Sequence, residues 1–438
     1  MLDILERWNH WGHAKLPAGH LRRKLLAKMV SHREGTEITT LIGPRRAGKS
    51  TLLYQVIQHL EQTGVEKKAI LHINFEEPAL APFLTLELLD KLYNIYRQEI
   101  YPEGKAYLFL DEIQNIPEWE RWVRARNETE NIKIFITGSS GKIMSRELGT
   151  LLTGRHLTFK IYPLSFSEIL EFNHVELPYP TLVSASKKIE YELMNYLRFG
   201  GFPAVVTAQS IEKREQLLIQ YFEDILYRDI ALRHSIRDLS QVRQFAAHLL
   251  AHTGSLLSAS RLGKVFGIST ELAAHYCSYL QEAFLIGLVP YFSLKAAERT
   301  RNPHKIHVID PGIRNVIALT ASSDLGHAME TLVYLSLIHD DALDVYYWRK
   351  NKEVDFLVRK KNQTQYLIQV VYTGLDDEKI RMREIAALLS AREMFPKTRC
   401  LLITHHLPQS TTLFAENKIT LIPLWKFLLF GLSEIQAI

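Results

Sequence analysis

Hydrophobic and polar positions follow a different pattern in successive stretches of the chain. Residues 36 to about 170 alternate short apolar runs with segments whose apolar residues recur at helical spacing. This alternation is typical of a parallel sheet with connecting helices. From about 185 to 237 the pattern is purely helical. Between the two, "VELPYPTLVSASKK" loses its periodicity and indicates a linker.

Residues 240 to 286 predict three helices, in "SQVRQFAAHLLAHTG", "SASRLGKVFG" and "TELAAHYCSYLQEAFLI". The short turn before the third is typical of a helix-turn-helix. On the third helix Leu272, Tyr276 and Leu280 should face inward, with Cys277 beside them as a small apolar residue. That helix carries no Lys or Arg. We therefore do not expect it to recognise bases in a DNA major groove.

The stretch "LIGPRRAGKSTLLYQ" lies between a predicted strand and a predicted helix and fits G-x-x-x-x-G-K-[ST]. Glycines let backbone N–H groups curl around phosphate oxygens, and the helix N-terminus adds a positive dipole. We expect Lys49 to reach the β/γ-phosphates and the Ser50 hydroxyl to bind Mg²⁺. The alternative is a chance glycine-rich turn. The predicted nucleotide-binding residues are Gly43, Pro44, Arg45, Arg46, Ala47, Gly48, Lys49, Ser50 and Thr51.

A second motif, "KAYLFLDEIQNI", predicts a buried parallel strand that ends in two carboxylates. Ligands of open α/β sheets bind at the carboxyl ends of the strands. Asp111 is the predicted partner of Mg²⁺ through water, and Glu112 is the predicted base that polarises the attacking water. A solvated strand end is the alternative.

The strand "IKIFITGSS" ends in polar residues, and Thr137 or Ser139 is placed to sense a γ-phosphate. Arg155 in "LLTGRHLTF" and Arg146 before it are candidate arginine fingers that act across a subunit interface. Such a finger implies a homo-oligomer. Ordinary surface arginines are the alternative.

Composition narrows the class of protein without naming a ligand. The 438 residues suggest two to four domains, and a net charge of +5 permits polyanion binding without requiring it. Cys277 and Cys400 have neither metal nor disulfide spacing, which predicts a reducing, cytoplasmic setting. Acidic residues in "MLDILERWNHWG" do not favour export. The apolar "LIPLWKFLLFGL" is too short to span a membrane and predicts a buried helix.

Read together, "GPRRAGKST", "FLDEIQN", "FITGSS", "YPLSFSEIL", "YLRFGGFP" and "WRKNKEVDF" resemble a prokaryotic family of AAA+-class P-loop ATPases. The resemblance covers nearly the whole chain. It implies an α/β fold with a RecA/AAA+-like P-loop domain, a helical lid, a winged helix and a C-terminal restriction-endonuclease-like α/β domain. The predicted boundaries are 1–175 for the ATPase core, 176–237 for the lid, 238–308 for the winged helix and 309–438 for the nuclease-like domain.

In the resembled nuclease fold, a helix glutamate, a strand aspartate and an E-x-K on the next strand hold Mg²⁺ and activate water. Glu330 and Asp355 match the first two positions, but Gln369 and Val371 replace the charged pair. Gln369 still offers a carbonyl oxygen to a metal, whereas Val371 cannot move a proton. We expect a degenerate site that cuts DNA poorly or not at all.

Basic residues outside the phosphate site are candidate contacts to a DNA backbone. Solvated surface charge is the alternative, and Trp348 could stack on a base but better fits a half-buried strand aromatic. The candidates are Arg261, Lys264, Lys295, Arg299, Arg301, Lys305, Lys350, Lys352 and Lys360.

These patterns predict an ATP- and Mg²⁺-dependent ATPase that remodels or translocates on duplex or branched DNA with little sequence specificity. Adenine over guanine rests on the resemblance alone. The alternative is a nucleotide-dependent signalling switch whose winged helix docks a protein. The acidic residues of the third helix, Glu271 and Glu282, favour that alternative.

Overall fold

A computed structural model describes residues 1–12, 14–15, 17, 19–139, 155–175, 186–318 and 325–434. The chain forms two compact units, Met1–Ile161 and Tyr162–Ile438. Within the described ranges, no helix combines the length and apolar character needed to cross a membrane.

The first unit is built on one parallel sheet. Its strands are β1 (Ile38–Ile42), β2 (Ile70–Asn74), β3 (Ala106–Asp111), β4 (Ile132–Gly138) and β5 (His156–Lys160). Its helices are α1 (Leu2–Trp8), α2 (Arg23–Val30), α3 (Lys49–Gln62), α4 (Leu86–Glu99) and α5 (Trp119–Thr129). The strand order is β2-β3-β4-β1-β5, and every pair is parallel. Strand β4 thus separates the strand before the glycine loop from the strand that carries the two carboxylates.

The N-terminal segment covers the edge of this sheet. The side-chain amide of Asn9 donates to the carbonyl of His72 at 2.9 Å, and its oxygen accepts the backbone N–H of His72 at 2.6 Å. The indole of Trp11 donates to the carbonyl of Ile70 at 2.9 Å. These side chains satisfy backbone groups that an open edge strand would leave unpaired.

The second unit contains two sheets and most of the helices. Its helices are α6 (Phe166–Phe172), α7 (Ser186–Phe199), α8 (Pro203–Val206), α9 (Ile211–Asp224), α10 (Leu239–Ala251), α11 (Ala259–Phe266), α12 (Thr270–Glu282), α13 (Ala296–Arg301), α14 (Pro311–Ile317), α15 (Leu325–Ile338), α16 (Glu378–Met394), α17 (Thr412–Glu416) and α18 (Leu424–Glu434). Its strands are β6 (Leu256–Leu257), β7 (Ile286–Val289), β8 (His304–Val308), β9 (Leu343–Arg349), β10 (Glu353–Lys360), β11 (Gln363–Val371), β12 (Arg399–Thr404) and β13 (Ile419–Pro423).

Helices α10, α11 and α12 are the three helices predicted from the sequence. Gly267, with a φ of 64°, ends α11, and the side chain of Ser269 caps α12 by accepting from the N–H of Leu272. Tyr276 and Cys277 lie in the core between these helices. Burial raises the pKa of the Cys277 thiol to about 12, so it is a packing residue.

The strands between and after these helices form a small antiparallel sheet of order β6-β8-β7. The strands that follow in the sequence form a mixed sheet of order β13-β12-β11-β10-β9. Backbone bonds join the two sheets. The N–H of Phe292 donates to the carbonyl of Tyr347 at 2.8 Å, and the N–H of Tyr347 donates to the carbonyl of Pro290 at 3.1 Å. The chain leaving β7 is therefore paired with β9.

The "GGFP" stretch forms a tight turn held by a buried carboxylate. Asp310 accepts the N–H of Gly201 at 2.8 Å and the N–H of Ile313 at 3.1 Å. A Cβ at Gly200, whose φ is 71°, would lie 2.1 Å from a carboxylate oxygen of Asp310. Only glycine fits there.

The predicted domain boundary at residue 175 differs from the boundary between the compact units, which lies after Ile161. Leu164 already belongs to the second unit, because its N–H donates to the carbonyl of Gly201 at 2.7 Å. The predicted buried terminal helix corresponds to α18, which buries Leu424 and Phe427 completely. The finer division into lid, winged helix and nuclease-like domain remains a prediction.

Candidate functional site

The glycine loop between β1 and α3 has little space for side chains. A Cβ on Gly43 would lie 2.0 Å from the carbonyl oxygen of Ile161. Gly48 has a φ of 95° and begins α3 as its N-cap. Arg46 also has a left-handed backbone, with a φ of 70°. The loop therefore needs glycine at Gly43 and Gly48, the two positions that the motif specifies.

Lys49 lies inside this loop with its side chain 4% exposed. Its ammonium donates to the carbonyls of Gly43 at 3.0 Å and Pro44 at 3.1 Å. It also lies 3.8 Å from Oε1 of Glu112. The amine is thus held mainly by neutral backbone acceptors.

Asp111 is the centre of a hydroxyl network at the carboxyl edge of the sheet. The hydroxyls of Ser50 and Thr137 both donate to its carboxylate. Thr137 also accepts the N–H of Glu112 at 2.9 Å. Burial and the neighbouring charge of Glu112 raise the pKa of Asp111 to about 6. A buried carboxylate with this pKa would be stabilised by a cation.

Glu112 is fixed by its backbone, by a donor from the turn that follows it and by a donor at the end of β4. Its φ is 54°, and its Oε2 accepts the N–H of Ser139 at 3.2 Å and the side-chain amide of Gln114. Burial raises the pKa of this carboxyl, but the Lys49 ammonium and the hydrogen bond from Gln114 lower it further, to below its ordinary value. Glu112 therefore stays ionised at neutral pH and can accept a proton.

The structure brings together the predicted residues Lys49, Ser50, Asp111, Glu112 and Thr137. The Thr137 hydroxyl is engaged by both carboxylate residues. It reaches them because β4 lies between β1 and β3.

Arg155 takes part in an ion pair with Glu128 on α5, and its side chain is 47% exposed. The other arginine-finger candidate, Arg146, lies outside the described residues. Arg155 would have to leave Glu128 to act on a neighbouring subunit.

Two contacts to the loop were missed by sequence reasoning. Arg22 is buried and donates to the carbonyl of Ala47 at 3.2 Å. Arg45 donates to Glu76, after β2, at 2.7 Å. Nothing in the sequence around Arg22 indicates that it contacts the loop. Glu76 could have been found, because it follows the carboxyl end of a strand, as the carboxylates of the second motif do.

Comparison with known proteins assigns the chain to a family. Residues 35–170 match the AAA domain, and residues 190–324 match a domain of unknown function, DUF8612. The uncharacterized protein MJ1544 of Methanocaldococcus jannaschii is 33% identical over 425 residues, which cover 93% of this chain and 90% of that protein. The chain belongs to the same AAA-domain family. An uncharacterized protein of Haemophilus influenzae is 29% identical over 359 residues, 80% of this chain and 86% of that protein.

Solved structures are more distant. The Aeropyrum pernix ORC1 protein in complex with DNA has a TM-score of 0.33 and 12% identity, over 69% of this chain and 93% of that chain. AMPPCP-bound DnaA from Aquifex aeolicus has a TM-score of 0.26 and 12% identity, over 59% of this chain and 86% of that chain.

Outside the AAA domain, the predicted nuclease-like residues lie around a lysine. Lys305 Nζ lies 2.6 Å from Glu330 Oε1 and 3.0 Å from Asp355 Oδ1. It also lies 3.0 Å from Glu353 Oε1. Burial and the charge of Asp355 raise the pKa of Glu330 to about 8. Gln369 lies beside this cluster, where its side-chain oxygen accepts the N–H of Asp355 at 3.3 Å.

This arrangement corrects two expectations from the sequence. Lys305 was a candidate DNA contact, but its side chain is 3% exposed and engaged by carboxylates, so it is removed from that set. The oxygen of Gln369, expected to remain available to a metal, is used by the backbone of Asp355.

The other basic candidates lie at or near the surface. Lys295 pairs with Glu298 at 3.2 Å on α13, and Lys350 and Lys352 lie in the turn between β9 and β10. The exposed candidates are Arg261, Lys264, Lys295, Arg299, Arg301, Lys350 and Lys352, and Lys360 is partly exposed. Trp348 is 5% exposed and packs in the core, so it is not available to stack on a base.

Proposed function

We propose that the AAA domain hydrolyses ATP and that the second unit couples this turnover to DNA. The observation that carries the ATPase proposal is the contact set at the loop: Lys49 inside it, Asp111 bonded to Ser50, and an ionised Glu112 beside them. A carboxylate at this position can take the proton of an attacking water, which hydrolysis requires and binding alone does not.

The residues fit a nucleotide with Mg²⁺. Two oxygen donors, Ser50 and Asp111, already touch each other, and hard oxygen ligands are those that Mg²⁺ prefers. When bound, Mg²⁺ would supply positive charge to the phosphates. Lys49 would leave the carbonyls of Gly43 and Pro44 to hold phosphate oxygens.

Glu112 would accept the proton of the attacking water. Its Oε2 is held by Ser139 and Gln114, whereas its Oε1 faces Lys49 without a short contact to it. We therefore assign the proton to Oε1. Thr137 would act as a positioning residue, because it bonds the carboxylate of Asp111 and the backbone of Glu112. These two contacts support the positioning role, and the γ-phosphate sensor role of Thr137 stays a prediction.

The candidate DNA contacts are exposed cations on elements other than α12. The outward positions of α12, among them Glu271, His275, Ser278 and Gln281, carry no Lys or Arg. Contacts from Arg299, Arg301, Lys350 and Lys352 would bind phosphates and give little sequence specificity. We propose a winged helix for residues 238–308, supported by the order of α10, β6, α11, α12, β7 and β8.

A signalling switch is the second candidate, and the surface of α12 favours it. A polar helix face without cations suits a protein partner better than a phosphate backbone. In this case nucleotide turnover would change the second unit and so control docking.

One experiment separates the two. ATP turnover is measured with and without duplex and forked DNA over a salt series. Stimulation that falls steeply with salt supports a DNA-dependent ATPase. Turnover that no DNA changes supports the switch.

We also propose that the AAA domain works as a homo-oligomer through Arg155. Mixing Arg155→Ala subunits with Lys49→Ala subunits should restore part of the turnover, because the intact Lys49 site of one subunit can then meet the intact Arg155 of the other. The control is Arg121→Ala, an exposed arginine paired with Glu118. No recovery after confirmed mixing would remove Arg155 from the site.

A further inference from the structure

The lysine–carboxylate cluster brings together three elements of the second unit. Lys305 comes from β8, Glu330 from α15, and Glu353 and Asp355 from β10. These oxygens lie 2.6 to 3.0 Å from the lysine nitrogen. Burial alone would lower the pKa of Lys305, but the charges of Asp355, Glu330 and Glu353 raise it well above its ordinary value. The nitrogen is an ammonium at neutral pH.

Strand β11 orients Asp355 through two hydrogen bonds. Asp355 Oδ2 accepts the N–H of Val370 at 2.9 Å, which leaves Oδ1 for Lys305. The N–H of Asp355 donates to Gln369. Strand β11, which in the resembled fold would bring an acid and a lysine, here brings an amide and a backbone N–H to hold Asp355 in place.

A buried histidine also faces the cluster. His307 is completely buried, and its Nε2 lies 3.6 Å from Glu330 Oε1. In the described part of the chain this nitrogen has no hydrogen-bond partner. The other ring nitrogen lies 3.4 Å from the hydroxyl of Thr331. The cluster therefore has an additional nitrogen directed at it that the ion pairs do not use.

We propose that the Lys305 ammonium occupies the place of a divalent cation at this cluster, and that removing it would open a metal site made of Glu330, Glu353 and Asp355. The distances are those of ammonium hydrogen bonds, and they exceed the roughly 2.1 Å at which carboxylates bind Mg²⁺. The ammonium and a divalent cation need the same three oxygens, so they cannot be bound at the same time. The cluster is thus an internal ion centre that ties β8 to α15 and β10.

With Lys305 in place, the protein should not bind a divalent metal ion at this cluster. Gln369 and Val371 stand where the resembled fold has an acid and a lysine. The negative charge of the carboxylates is still partly neutralised, because Lys305 supplies a positive charge from another strand. The inference rests on these contacts alone, so it stands or falls separately from the proposed ATPase and DNA-binding functions.

The test measures Mn²⁺ binding by electron paramagnetic resonance in the absence of nucleotide, with full-length protein. The variants are Lys305→Met, the double variant Lys305→Met/Asp355→Asn, and the exposed control Lys264→Met. Methionine keeps the length of the apolar part of the side chain while removing the charge. At about 1 mM Mn²⁺ we expect Lys305→Met to bind one ion more than the parent, and Lys264→Met to bind the same number as the parent. The additional ion should be lost in the double variant.

Thermal unfolding gives a second readout, which can be measured even when the variant is less stable than the parent. Loss of a buried ion-pair partner should lower the Tm of Lys305→Met by about 5–15 °C, and Mn²⁺ should recover at least half of that loss. The parent's Tm should be the same in Mn²⁺ and in EDTA.

Two results would overturn the inference. One is Mn²⁺ binding by the parent that Asp355→Asn abolishes, since the lysine would then not exclude the metal. The other is a Lys305→Met protein that is folded by circular dichroism and binds no additional ion. If Lys305→Met does not fold, the parent and its Asp355→Asn variant decide: equal Mn²⁺ binding in the two supports the inference, and unequal binding contradicts it.

Discussion

The loop of the AAA domain and the cluster of the second unit each place a buried lysine beside carboxylates, yet the two lysines are held differently. Lys49 bonds two neutral carbonyls and lies 3.8 Å from its carboxylate. Lys305 lies within 3.0 Å of three carboxylates. The first amine can move to a phosphate at little electrostatic cost. The second cannot leave without exposing unpaired buried charge.

The difference shows that residue types alone do not define a reactive site. Both sites have a lysine, an aspartate and a glutamate from neighbouring elements. What separates them is whether the lysine's hydrogen bonds go to neutral or to charged acceptors, because that sets the cost of releasing it.

The largest expected effect is on turnover at Lys49. Lys49→Ala should lower ATP turnover by about 10³-fold or more, because the phosphates lose the ammonium that stabilises their charge. The measurement is phosphate release by the purified protein. Lys67→Ala, an exposed lysine of the same unit, is the control and should keep the parent rate. Normal turnover by Lys49→Ala would contradict the comparison, because Lys49 would then not move to the phosphates during turnover.

Next in size is the effect of removing the base. Glu112→Gln should slow hydrolysis by about 10²-fold while ATP stays bound, because the amide keeps the shape of the side chain but cannot accept the proton. Single-turnover hydrolysis and ATP binding are measured on the same sample. Glu118→Gln, at an exposed glutamate, serves as the control. Parent-like hydrolysis by Glu112→Gln would exclude this carboxylate as the base.

The two lysines should also differ in their contribution to folding. Lys305→Met should lower the free energy of unfolding by about 3–5 kcal/mol, since it leaves buried carboxylates unpaired. Lys49→Met should cost about 1–2 kcal/mol, because it leaves two neutral carbonyls without a donor and removes a charge that is 3.8 Å from Glu112 rather than in direct contact with it. Urea unfolding of both variants, followed by circular dichroism, gives the difference. Equal losses would mean that the acceptor charge does not distinguish the sites.

The smallest effect concerns Asp111, whose charge is unfavourable without a bound cation. Its folded-state pKa of about 6 lies above the ordinary value of 3.8, so the folded protein loses stability as pH rises from about 4 to about 6. Asp111→Asn removes that penalty. The shift corresponds to about 3 kcal/mol, but the hydroxyls of Ser50 and Thr137 bond an amide oxygen more weakly than a carboxylate. In the absence of nucleotide the net gain should therefore be about 1 kcal/mol above pH 6, with no gain near pH 4.

Thermal unfolding at several pH values measures this gain. Asp90→Asn, at a partly exposed carboxylate whose pKa is lowered by the Trp122 hydrogen bond and by Arg126, is the opposite control and should destabilise above pH 4. A loss of stability in Asp111→Asn at pH 7 would show that its hydroxyl partners outweigh the burial of its charge.

The AAA domain could be predicted from the sequence because its functional residues lie close together in short segments of the chain. The loop of Gly43 to Ser50 and the strand ending in Asp111 carry their glycines, lysine and carboxylates next to one another. The contacts of Thr137 with Asp111 and Glu112 could not be predicted, because they depend on β4 lying between β1 and β3. That order is a long-range property of the sheet.

The role of Lys305 could not be predicted for the same reason. In the sequence it is one more cation after Arg299 and Arg301, and strand alternation does not say what its face packs against. Its burial follows from the pairing of the chain after β7 with β9 at Tyr347, which brings β8 to the carboxylates. The two carboxylates Glu330 and Asp355 were predicted as a pair, while Glu353 and the lysine between them were missed.

The most direct test of the difference between the two lysines is a crystal structure of Glu112→Gln grown with ATP and Mn²⁺, with anomalous scattering used to locate the manganese. We expect one Mn²⁺ at Ser50 and Asp111, with Lys49 moved from the carbonyls of Gly43 and Pro44 to the phosphates. No anomalous peak is expected at Glu330 and Asp355, where Lys305 should remain within about 3 Å of the carboxylates. Manganese in place of the Lys305 ammonium, or Lys49 still bonded to its carbonyls with ATP bound, would contradict the account.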